Sequence, residues 1–128
     1  MNQSSISMVF SAIYTACLSI AFIFFPDPVI ALLGFHGGSD AWVRIVGYFL
    51  GVLAFYYAAA VREHSTGFER GTVWARVPAL LFWSAFVVAG VAPPVLLLWG
   101  GVESACGIWT GLALRKERLR HYRELARV

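Results

Sequence analysis

The stretch ISMVFSAIYTACLSIAFIFF, residues 6–25, runs twenty positions without a charged side chain. At about 1.5 Å of rise per residue, a helix of that length covers about 30 Å, the thickness of a bilayer's hydrocarbon core. It follows Ser4 and Ser5, which suit a helix start, and stops at Pro26-Asp27-Pro28, where proline cannot continue a helix. No Lys or Arg precedes it and no small-residue cleavage site follows, so it reads as a membrane span and not as the apolar part of a signal peptide.

The same texture recurs outward from this stretch, over residues 41–61, 72–92 and 95–114. The chain of 128 residues is 59% hydrophobic and 13% charged, against about 45–50% and about 25% in a soluble domain. Four spans of about 20 residues leave no room for a soluble unit, so residues 1–128 read as one membrane domain. Residues 29–35 are apolar but too short to cross, and are expected at the interface or dipping back. Ser39 or Asp40 suits the start of the second span, residues 67–71 read as a polar loop, and Pro93-Pro94 as a tight turn. In the tail RKERLRHYRELARV, residues 115–128, Leu119, Tyr122 and Ala126 recur at helical spacing among Arg118, Arg120, Arg123 and Arg127. That pattern predicts a basic helix that extends the fourth span or lies on the headgroups, or else a solvated charged end.

Lys and Arg outside the spans set the orientation. The loop after the second span has Arg62 and Arg70, the tail has six such residues, and the other two connections have none. Both termini are therefore expected in the cytoplasm, and the short connections predict an all-α, four-helix up-down bundle with a basic helical C-terminal tail. The formal charge of +3 is concentrated beside a span, which points to anionic membrane lipids and away from nucleic acid.

Small residues step along the second span at Gly47, Gly51, Ala54 and Ala58, and along the fourth at Gly100, Ser104, Gly107 and Gly111. Such seams let backbones approach in lipid, and they predict that the second and fourth spans are neighbours, within one chain or across an oligomer interface. Glu103 is an acid well inside a span, about 12 Å below the outer edge by helical rise, where a charge costs at least about 2.5 kcal/mol and calls for a partner. Arg44, about 5 Å below the same edge, is the expected partner. Towards the cytoplasmic end, Arg76, Tyr56, Tyr57, Trp109 and Thr110 fall at similar depth; Arg76 is expected to snorkel, with stacking on a ring or a phosphate as the functional alternatives. Trp42, Trp74 and Trp99 suit belt anchors.

His36, His64 and His121 fall outside the spans and make no metal or haem site, Cys17 and Cys106 read as small space-filling thiols, and no cofactor is expected. No phosphate-binding loop, HExxH, nucleophile elbow or dinucleotide fingerprint occurs, so catalysis has no positive support.

WVRIVGYFLGVLAFYYAAAVRE (42–63), FERGTVWAR (68–76) and GGVESACGIWTGLALR (100–115) together resemble small bacterial four-helix membrane proteins of DoxX-like character. The matching positions are Arg44, Tyr56, Tyr57, Arg76, Glu103, Trp109 and Thr110, with Glu103 standing where Asp is more usual. The resemblance implies a four-helix bundle in a bacterial inner membrane and brings no activity.

The leading expectation is a structural or interaction module that self-associates or serves as an accessory subunit of a larger membrane complex. The alternative is a binding or carrier protein for an apolar small molecule, lipid-like or quinone-like, with Arg44 and Glu103, or Arg76 and its aromatic neighbours, meeting the polar end. A proton-coupled transporter or membrane enzyme rests on Glu103 alone.

Overall fold

The computed structural model describes residues 2–36 and 40–127. Every regular element among them is an α-helix: α1 (Gln3–Phe24), α2 (Pro26–Leu33), α3 (Ala41–Arg62), α4 (Thr66–Arg76), α5 (Ala79–Val88) and α6 (Leu96–Leu125). Four helical stretches are long and apolar enough to cross a membrane: Gln3–Phe24, Ala41–Arg62, Thr66–Val88 and Leu96–Leu125. The first two match the expected spans to within a few residues. Ser39, one of the two expected caps, and the last residue of the tail lie outside the described residues.

The other two stretches differ from expectation for physical reasons. The third begins at Thr66, not at residue 72, because Glu69 and Arg70 lie within the first turns of α4; apolar content alone places a helix start only where charges end. It is also broken. Pro78 has no N–H, and its ring cannot tolerate the carbonyl four residues back, so α4 stops at Arg76 and α5 restarts at Ala79. The fourth stretch takes up the expected tail, since α6 runs unbroken to Leu125. The apolar piece after α1 is the eight-residue α2, opened by Pro26.

Three helices end in the same way. At Gly90 (φ 72°) the backbone turns left-handed, its N–H donates to the Val87 carbonyl, and the Val91 N–H donates to the Phe86 carbonyl. Gly34 (φ 71°) ends α2 with bonds to the Ala31 and Ile30 carbonyls, and His64 (φ 51°) ends α3 with its own N–H on Val61 and that of Ser65 on Ala60. This is the Schellman arrangement, which satisfies carbonyls that a helix end leaves open.

The packing centres on α1, which lies against α3 along its length, against α6, and against α2 at its end. On its other flank α6 carries α4 and α5. Opposed residues run in opposite directions along each pair: Met8 meets Tyr57 and Ser19 meets Gly47 between α1 and α3, while Ser7 meets Thr110 and Phe22 meets Trp99 between α1 and α6. The solvent pattern is inverted relative to a water-soluble bundle. The buried face of α1 carries Ser4, Ser7, Ser11, Thr15 and Ser19, and its outer face carries the exposed Ile6, Phe10, Ile13, Ile20 and Phe24. Hydrocarbon gives apolar side chains no reason to leave it, so small groups that permit close packing and hydroxyls that bond across helices take the interior.

The two small-residue seams do not meet each other. A Cβ on Gly47 would stand 2.8 Å from the Phe22 Cβ, and one on Gly51 2.8 Å from the Ser19 Oγ, so the α3 seam receives α1. The α6 seam receives the third span: Gly100 faces Trp83 and Leu80, Gly107 faces Arg76 and Val77, and Gly111 faces Val73. The expectation that the second and fourth spans are neighbours is corrected accordingly. A seam records that some backbone comes close, and its spacing carries no mark of which one.

Candidate functional site

Arg76, the last residue of α4 before the proline break, is buried, 4% exposed. Its Nε donates to Glu103 Oε2 at 2.8 Å, its Nη1 donates to Ser11 Oγ at 2.8 Å, and its Cζ stands 5.4 Å from the Tyr57 ring centroid. Nη2 is buried without a hydrogen-bond partner. Arg76 therefore does not snorkel as expected; it is held across α1, α3 and α6 by one helix each.

The break that ends α4 is itself held from α6. Ser104 Oγ accepts the Leu80 N–H at 3.0 Å and donates to the Val77 carbonyl at 2.9 Å. One hydroxyl thus serves a donor and an acceptor at the interruption, and it is the residue directly after Glu103. Gly107, one turn on, lets α6 close on the Arg76 backbone. Pro78, Ser104, Gly107 and Glu103 form one device that fixes where the guanidinium sits.

Polar pairing continues along α1. Ser11 donates to the Ser7 carbonyl at 2.9 Å, Ser7 Oγ to the Ser4 carbonyl at 2.8 Å, and Thr110 Oγ1 to the Cys106 carbonyl at 3.0 Å; Ser7 and Thr110 also meet at 2.9 Å. Two hydroxyl protons serve the three contacts of Ser7 and Thr110, so one contact is always without a proton. At the end of the row, Ser4 donates its N–H and its hydroxyl to the Glu117 carboxylate. Glu69, also buried, has Oε2 without a partner.

Of the expected site residues, Arg76, Glu103 and Tyr57 come together, while Thr110 meets the hydroxyl row of α1 at Ser7. Arg44 does not pair with Glu103: its Nη2 meets Asp40 at 3.1 Å, and its Nη1 donates to the Ile23 carbonyl at the end of α1. The reason is reach along the chain, since Asp40 stands four residues before Arg44, whereas Glu103 belongs to a helix that α3 does not pack along. Tyr56 is exposed against Phe55, and Trp109, 42% exposed, leans on Phe10, so neither joins the cluster. Cys17 is exposed, Cys106 is buried, and both are free thiols. The hydroxyls on α1 are functional neighbours that sequence reasoning missed. Their spacing from Ser4 through Ser7, Ser11 and Thr15 to Ser19, in steps of three and then four, is the signal that marks a single helix face.

A cavity of about 300 Å³ opens towards the other end, between α1, α3, α5 and α6. Its wall includes Phe22, Phe35, Trp42, Trp83, Phe86 and Trp99, and no charged residue among those described. Trp99 packs edge-on against Phe22 at 5.7 Å, and Phe35 against Trp42 at 5.4 Å. Trp42 and Trp99, expected as belt anchors, also line this cavity. Trp99 and Glu103 are four residues apart on α6, so they share a face, and the carboxylate lies about 6 Å further in. The lining is apolar, and the size is at the low end for small-molecule sites.

No protein-family model, no curated protein and no solved structure matches this chain.

Proposed function

We propose that this chain is a multi-pass membrane protein that binds an apolar small molecule, lipid-like or quinone-like, in the aromatic cavity. The observation that carries the reading is the cavity itself: an uncharged space walled by three tryptophans, one helical turn from the half-buried carboxylate of Glu103. Glu103 then meets the polar end of a ligand whose body lies on Trp83 and Trp99. The Arg76–Glu103 ion pair below, with the Ser11 and Tyr57 contacts of the same guanidinium, is the clasp that joins α4 to α1, α3 and α6, and a DoxX-like bundle in a bacterial inner membrane fits this picture. The four stretches cross as an up-down bundle. Arg62, Arg70 and the basic end of α6 lie on the cytoplasmic side with both termini, as the placement of Lys and Arg requires.

The test is binding of a short-chain quinone to the purified protein in detergent, read by tryptophan fluorescence, with mass spectrometry of an organic extract for resident molecules. Saturable quenching that is lost in Val46→Phe, which fills the cavity, is expected. Absence of both saturable quenching and any stoichiometric extracted molecule sinks the reading.

A second reading, an accessory or self-associating module, draws on α5, which buries none of its residues. Seams no longer support it, because Gly47, Gly51, Gly100, Gly107 and Gly111 already face neighbours within the chain. A strictly monomeric mass in detergent, with no co-purifying protein, eliminates it.

A further inference from the structure

A second cavity, of about 550 Å³, lies at the opposite end between α4 and α6. Its origin is the close crossing of the two helices at Gly111, where a Cβ would meet Val73 Cγ1 at 3.2 Å. Beyond that point the helices diverge, and the opening is lined by Arg70 from α4 and by Arg115, Arg118 and His121 from α6. Arg115, Arg118 and His121 follow one another at three-residue steps, so they share one stripe of α6, and Arg70 faces that stripe from across the groove. Among the described residues none of these three arginines is in an ion pair. The one carboxylate on the wall, Glu117, is occupied by the N–H and hydroxyl of Ser4. Three guanidinium groups against this one carboxylate leave the wall with a net positive charge. Val73 and Leu114 supply an apolar floor, and Trp74, 83% exposed, forms a lip of the kind that sits at headgroup level.

We infer that this groove binds the phosphodiester headgroup of an anionic glycerophospholipid. Guanidinium groups match phosphate oxygens in pairs and stay charged at any physiological pH. A free phosphate has the same oxygens but no use for an apolar floor or an exposed indole, which is why a lipid is the occupant. The inference rests on α4 and α6 being membrane-spanning and is independent of a ligand in the aromatic cavity.

The experiment is native mass spectrometry of the full chain released from detergent, titrated with dioleoylphosphatidylglycerol or dioleoylphosphatidylcholine. One phosphatidylglycerol is expected to bind roughly tenfold more tightly than phosphatidylcholine, and Arg115→Gln/Arg118→Gln to lose roughly tenfold or more of that affinity. Arg120→Gln/Arg123→Gln removes the same charge from residues that do not line the groove, and stays within about threefold of the parent. Arg70→Gln, a single change on the other helix, keeps the test alive should the double variant lose its helical circular dichroism; it is expected to lose roughly fivefold. Equal losses in the two double variants, or no preference for phosphatidylglycerol, overturn the site. Inorganic phosphate competing as well as the lipid at equal concentration overturns the lipid as its occupant. A chain that stays in solution without detergent instead defeats the membrane reading itself, and is recognised as such before any lipid is added.

Discussion

Arg76 and Glu103 are joined where neither is tolerable alone. Removing one partner of a buried ion pair leaves an uncompensated charge and costs about 3–5 kcal/mol, whereas replacing both by apolar groups of similar volume is often close to neutral. Arg76→Leu should therefore destabilise the bundle by an amount in that range, and Arg76→Leu/Glu103→Leu should recover most of it. Thermal unfolding in detergent, followed by circular dichroism, measures both. A double variant as unstable as the single one indicates that Ser11 and Tyr57 depend on the guanidinium more than on charge balance. The acid and its need for a partner were legible from one Glu in an apolar run. The partner's identity was not, because insertion cost says only that a countercharge is required, while Arg44 and Arg76 both offered one.

Among the helices, the third span is the element whose form is least evident from composition. Ser104 compensates the interruption at Pro78, so Ser104→Ala leaves the Leu80 N–H and the Val77 carbonyl without that hydroxyl and should cost about 1–2 kcal/mol. In a Pro78→Ala background, where the helix can close its own bonds, the same change should cost distinctly less; equal costs in the two backgrounds would show that Ser104 acts through something else. The glycines separate in the same way. Gly47→Ala forces a Cβ against Phe22 and the Ile23 backbone and should lose about 1–3 kcal/mol. Gly101→Ala meets nothing within 4 Å and should gain up to about 1 kcal/mol from helix propensity. Unfolding curves of the two variants moving in the same direction would contradict this assignment of contacts.

Across the whole chain, orientation is the property open to the most direct check. With Cys17 and Cys106 replaced by Ala, a cysteine at Val91→Cys should react with a membrane-impermeant maleimide added outside intact cells. Cysteines at Asn2→Cys and Arg127→Cys should react only after permeabilisation. The reverse pattern refutes the proposed sidedness. Sustained apolarity, read from one stretch after another, was enough to establish four helices able to cross a membrane, because the length a bilayer demands and the scarcity of charge are both local quantities. Small-residue seams likewise marked faces of α3 and α6 that approach other backbone. Which helix fills each seam, that Arg76 rather than Arg44 answers Glu103, and that an aromatic cavity and a basic groove open at opposite ends emerged only from the packed chain. Those features depend on pairs of residues far apart in sequence brought together by helix crossings, and a crossing leaves no periodic trace in either of the helices that make it.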